Sequence, residues 1–148
     1  MRELTTRDIL EHAAKIETES FAFYSLAAEA MTDKGLKELC RDLAEQEKGH
    51  LNNVRALLKT LGPGRTVPAP AGTLERLIVH GEVSPRSTPR EILTIAHQRE
   101  LNTRQFYQTM LALTDLGPDM VKLFEELMRQ EELHAESVKK RLERLTSS

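Results

Sequence analysis

The chain has a single cysteine, Cys40. One thiol excludes an intrachain disulfide and any paired Cys-x-x-Cys metal knuckle. It agrees with a reducing compartment, so the cytoplasm is the expected location. No apolar run approaches the roughly 20 residues of a membrane-spanning helix. The segment from Met1 to Thr6 lacks the apolar core of a signal peptide. A surplus of one charge is missing as well. Against 21 Lys and Arg stand 23 Asp and Glu, a net charge of -2. Binding to nucleic acid is therefore not expected. Glycine and proline are scarce outside residues 62–90. What is present is 148 residues, 39% hydrophobic and 30% charged, which predicts one domain over 1–148 with a sizeable core.

Outside the Gly/Pro-rich stretch the apolar residues recur at helical spacing. Helix A is expected over about 6–31, with Thr5 and Asp8 as a capping box. Its inner stripe is Ile9, Ala13, Ile16, Glu17, Ser20, Tyr24, Ala27 and Met31. Helix B is expected over about 36–61, after a turn at Thr32-Asp33-Lys34-Gly35. A connection over about 62–88 follows, with room for a short helix at 73–80. Thr88-Pro89-Arg90-Glu91 is a helix start, with Thr at the cap, Pro first and Glu third. It opens helix C, about 89–113, and helix D is expected over about 119–145. Short turns within A–B and C–D and a long link between them predict an all-α four-helix bundle. It consists of two antiparallel helix hairpins joined by a long crossover.

The halves repeat. Glu17 and Tyr24 correspond to Glu100 and Tyr107, and Gln46-Glu47-x-x-His50 corresponds to Gln130-Glu131-x-x-His134. Glu and His three apart on a helix point the same way. At about 1.5 Å per residue, Glu17 and Glu47 both lie roughly 20 Å from the A–B turn. Glu100 and Glu131 stand in nearly the same relation to the C–D turn. Glu47 and His50 continue the stripe of Leu43, Val54 and Leu58, while Glu131 and His134 continue that of Leu127, Val138 and Leu142. Carboxylates at core positions are prohibitively costly unless protonated or neutralised by cations. Two divalent or trivalent ions, held by Glu17, Glu47, His50, Glu100, Glu131 and His134, resolve the conflict. The competing possibility is a set of surface ion pairs on misassigned helix faces.

Tyr24 and Tyr107 lie two turns beyond Glu17 and Glu100. They either fill the core or donate hydrogen bonds to metal-bound carboxylates beside the catalytic centre. Gln46 and Gln130 either orient the imidazoles or stay solvated. His12 and His80 read as surface residues, and Cys40 as a small core residue.

This ordered set, Glu17…Tyr24, Glu47-x-x-His50, Glu100…Tyr107 and Glu131-x-x-His134, resembles the rubrerythrin branch of the ferritin-like superfamily, over nearly the whole chain. The resemblance implies a ferritin-like bundle with a carboxylate-bridged centre of two iron ions. The implied activity is that of a non-haem di-iron oxidoreductase, of ferroxidase or peroxidase type, acting on hydrogen peroxide or oxygen. Rubrerythrins commonly carry a rubredoxin-like iron site. This chain cannot, so an external electron donor such as a rubredoxin-like protein is implied. They also commonly place a further Glu one turn after the third-helix Glu. Thr103 stands there, which is closer to the symmetric six-ligand arrangement of bacterioferritin-like ferroxidases. The alternatives are an iron-storage protein without turnover and a di-manganese, catalase-like protein. A homodimer is the expected assembly.

Overall fold

The computed structural model describes residues 4–69, 72–74, 86–113 and 115–147, with the side chains of Thr146 and Ser147 excepted. Four helices dominate: α1 (Thr6–Ala30), α2 (Lys34–Leu61), α3 (Pro89–Leu111) and α4 (Pro118–Ser147). α1 packs along α2 and α3 along α4. The two hairpins then meet through α2 with α4 and α1 with α3. This is the ferritin-like four-helix bundle. No helix of the described residues is long and apolar enough to cross a membrane. The short helix considered over 73–80 lies mostly outside the described residues.

The helix ends follow from local chemistry. Thr5 and Thr88 each accept from the backbone of the residue three on, Asp8 and Glu91, whose carboxylates return the bond. Asp33 caps α2 by accepting from the Leu36 N–H. These contacts satisfy amides that a first helical turn leaves unpaired. α3 stops at Leu111, two residues before the expected end. Leu113 N–H donates to the Met110 carbonyl at 3.0 Å, tightening the last turn. Asp115 (φ 65°) and Gly117 (φ 88°) then reverse the chain.

One pairing was invisible in the sequence. β1 (Leu4–Thr5) and β2 (Thr66–Val67) run antiparallel, with Leu4 opposite Val67. Thr6 N–H donates to the Arg65 carbonyl at 2.8 Å, and Arg65 N–H donates to Thr6 Oγ1 at 2.9 Å. The start of the crossover is thereby tied to the start of α1. Gly64 makes that approach possible. Its φ is +82°, and a Cβ there would lie 2.9 Å from Thr6 Oγ1 and 3.0 Å from the Arg7 amide nitrogen. Gly64→Ala is expected to cost about 2 kcal/mol, a fall of about 5 °C in Tm by calorimetry. An unchanged Tm would show that the tie carries no stability.

The core divides in two. One cluster includes Ile9, Leu10, Val54, Phe106, Met110, Met120, Phe124 and Leu127. The other includes Phe23, Ala27, Met31, Leu36, Cys40, Leu43, Ile92, Leu93 and Val138. Burial pushes the Cys40 thiol up to about 11, so it is an inert core residue. Between the clusters lies a buried polar layer: Glu17, Ser20, Glu47, His50, Arg99, Glu100, Thr103, Glu131 and His134.

Candidate metal centre

Each helix delivers part of this layer. α1 gives Glu17, α2 gives Glu47 and His50, α3 gives Glu100, and α4 gives Glu131 and His134. All six are at most 7% exposed. They form two overlapping groups whose candidate ligand atoms lie within 4.8 Å of one another. Glu17, Glu47, His50 and Glu131 make one group; Glu47, Glu100, Glu131 and His134 make the other. Glu47 and Glu131 therefore belong to both, while Glu17 with His50 and Glu100 with His134 serve one each.

The imidazoles face inward through Nδ1. His50 Nδ1 is 3.2 Å from Glu131, 3.4 Å from Glu47 and 3.6 Å from Glu17. His134 Nδ1 is 3.1 Å from Glu47, 3.7 Å from Glu100 and 3.8 Å from Glu131. The rings stack with centroids 5.5 Å apart, 10° from parallel. Each Nδ1 thus looks onto three carboxylates, a donor set of oxygen and nitrogen that suits iron or manganese.

The tyrosines cross between halves. Tyr24 of the first hairpin donates to Glu100 of the second at 2.5 Å, and Tyr107 of the second donates to Glu17 of the first at 2.6 Å. Both phenols are pushed up by burial and by the neighbouring carboxylates, so they remain donors. The glutamines behave unequally. Gln46 Oε1 lies 2.6 Å from His134 Nε2, so the ring can donate there while Nδ1 keeps its lone pair for a metal. Gln130, half-buried, makes no equivalent bond to His50. His12 also departs from expectation. It is half-buried, its ring 5.3 Å from that of Phe106. His80 lies outside the described residues.

Without a cation the cluster must be held by protons. Burial, then the charges of its neighbours, raises Glu131 well above the carboxylate range, and burial followed by Glu47 does the same to Glu17. Burial also opposes ionisation of Glu47, but the adjoining Glu17, His134 and His50 side chains outweigh it and hold that carboxyl low. The histidines resist burial too. Glu17 and Glu47 raise His50 to about 10, and Glu100 and Glu47 raise His134 to about 9. Glu17 Oε2, Glu47 Oε2, Glu100 Oε2, Glu131 Oε1 and His50 Nδ1 are buried without a well-formed hydrogen bond, although His50 Nδ1 faces Glu131, Glu47 and Glu17 at 3.2, 3.4 and 3.6 Å. Native interiors rarely tolerate such atoms, at about 1–3 kcal/mol each. All of them belong to the two candidate metal groups, so a pair of cations fits the residues present.

Arg99 is the charged residue of this layer to which the sequence assigned no role. Its guanidinium is buried, 5.0 Å from the Phe23 ring centroid, and donates to Ser20 Oγ at 3.4 Å. Its only signal was a position beside Glu100 on the inner stripe of α3.

Comparisons with known proteins agree with this construction. The family model described as Rubrerythrin matches residues 8–142. A solved structure of a hypothetical protein from Pyrococcus furiosus is similar, with a TM-score of 0.75 at 23% identity, over 97% of this chain and 92% of that one. At that identity the likeness speaks for the fold. Curated proteins give no match.

Proposed function

The chain belongs to the rubrerythrin family, and on that premise we propose that it is a di-iron oxidoreductase that reduces hydrogen peroxide or oxygen. The observation that carries this reading is the buried pair of overlapping Glu/His groups with their unpartnered donor atoms. Glu17 and His50 would hold one iron, Glu100 and His134 the other, with Glu47 and Glu131 reaching both. Two ferrous ions, giving one electron each, would supply the two electrons that take peroxide and two protons to two waters.

The chain's own residues have separate tasks. Tyr24 and Tyr107 fix one oxygen of Glu100 and of Glu17, leaving the other oxygen of each turned inward. Gln46 sets the tautomer and ring orientation of His134. The apolar clusters above and below keep water from the layer, which strengthens every electrostatic contact within it. Electrons would return from a separate donor, such as a rubredoxin-like protein, since one cysteine cannot build a rubredoxin-like site of paired Cys-x-x-Cys motifs within these residues.

The test is anaerobic ferrous titration followed by peroxide. About two irons per chain are expected, oxidised faster than free ferrous ion by at least about a hundredfold. Two irons bound but oxidised no faster than in buffer would favour binding without turnover. Manganese retained in preference to iron would favour the catalase-like alternative.

A further inference from the structure

The repeat that relates Glu17 to Glu100 relates Ile16 to Arg99. Both are buried, at 3% and 5% exposure. The two halves therefore differ at this position: the buried residue before Glu17 is aliphatic, and the one before Glu100 carries a guanidinium. Arg99 rests against Phe23, whose ring meets that of Tyr24 edge-on at 5.2 Å. Tyr24 in turn donates to Glu100. The charge thus sits at the Glu100–His134 end. Burial works against the charged form of Arg99, while Tyr24, Glu19, Glu100 and Glu47 work for it. A guanidinium does not give up its proton in a protein, so a fixed positive charge remains. The Gln46 bond to His134 falls at the same end, so both departures from twofold symmetry mark one subsite.

We infer that Arg99 makes the two metal subsites unequal, so that Glu17–His50 binds its cation more tightly and Glu100–His134 fills second. The inference rests on the di-metal reading above. A buried positive charge repels a dication and draws on the Glu100 carboxylate that should hold it, and a surrounding of low dielectric screens neither effect. Arg99 is a positioning residue here, not a ligand. By keeping one subsite weaker it gives the pair a defined order of filling.

Two cations repel one another at any shared site, so a gap between two binding steps is not the readout. Single-site affinities are. Anaerobic calorimetric titration with ferrous ion should find that His134→Ala, which leaves Glu17–His50, binds about tenfold more tightly than His50→Ala, which leaves Glu100–His134. Adding Arg99→Met to both variants should bring the two constants to within about twofold, and Arg99→Lys should keep them apart. Equal affinities for the two histidine variants, or a difference that survives Arg99→Met, overturns the inference and leaves the di-metal reading standing. Should Arg99→Met not fold, Arg99→Gln, polar and neutral, takes its place beside the two histidine variants and Arg99→Lys. Absence of ferrous binding by the unaltered chain removes the di-metal reading itself, and this inference with it.

Discussion

Glu131→Gln should strip the chain of both metals, while Glu17→Gln should strip it of one. The difference follows from sharing. Glu131 and Glu47 each belong to both ligand groups, whereas Glu17 belongs to one. An amide keeps the shape of the carboxylate but offers a neutral, weaker donor. Losing it at a shared position should lower affinity at both subsites by at least about a hundredfold, since even outer hydrogen-bond partners are worth ten- to hundredfold. Metal per chain after gel filtration, read by elemental analysis, should fall from about two to near zero for Glu131→Gln and to about one for Glu17→Gln. The metal-free protein should move the other way. Glu131 is pushed up by burial and by Glu100, Glu47 and Glu17, so the metal-free fold must take up a proton there, which a neutral amide does not need. The metal-free Glu131→Gln variant should be more stable than the parent by about 1–3 kcal/mol, trading stability against function. Two irons retained by Glu131→Gln would show that Glu131 is not shared.

Much of this site could be read from spacing alone. A helix repeats its face every 3.6 residues, so Glu17, Glu47, Glu100 and Glu131 announced themselves as acids on apolar stripes. The ExxH spacing then put His50 and His134 on the same faces. What spacing does not encode is which rotamers meet across the bundle. Gln46 and Gln130 occupy equivalent places in the repeat, yet only Gln46 touches an imidazole. The tyrosines were on the right faces, but their crossing between halves depends on the bundle's handed packing, not on either helix. Arg99 on an inner stripe reads as a flank residue until Phe23 and Ser20 are seen around it. The β1–β2 pairing escaped because two-residue strands carry no period, and because Thr66 meets Thr5 only when the crossover folds back.

Metal binding and alkalinity should act on stability in opposite senses. In the metal-free protein His50 and His134 carry folded-state pKa values raised to about 10 and about 9. A histidine raised on folding stabilises the fold fully below its unfolded value, near 6.5, and that contribution is lost as pH climbs through the folded value. Glu17 and Glu131 are raised too, by burial first, so they also bind more protons folded than unfolded above the ordinary carboxyl range. Every one of these groups makes stability fall as pH rises. Glu47, held low, has the opposite sign, but only in acid. The metal-free Tm should therefore drop by several degrees, about 5 °C or more, between pH 6 and pH 9.5. Metal reverses the trend, because each cation must displace the protons that hold the cluster. Binding two ferrous ions at neutral pH should release about two to four protons, seen as a calorimetric enthalpy that tracks the ionisation enthalpy of the buffer. Affinity should rise with pH across the same window. At a metal concentration a thousand times Kd, each site adds about 4 kcal/mol, or roughly 10 °C in Tm for a chain of this size. The gap between loaded and metal-free melting temperatures should widen steadily from pH 6 to pH 9.5 under anaerobic conditions. A gap that stays constant or narrows would mean that protons and metal do not compete for His50, His134, Glu17 and Glu131.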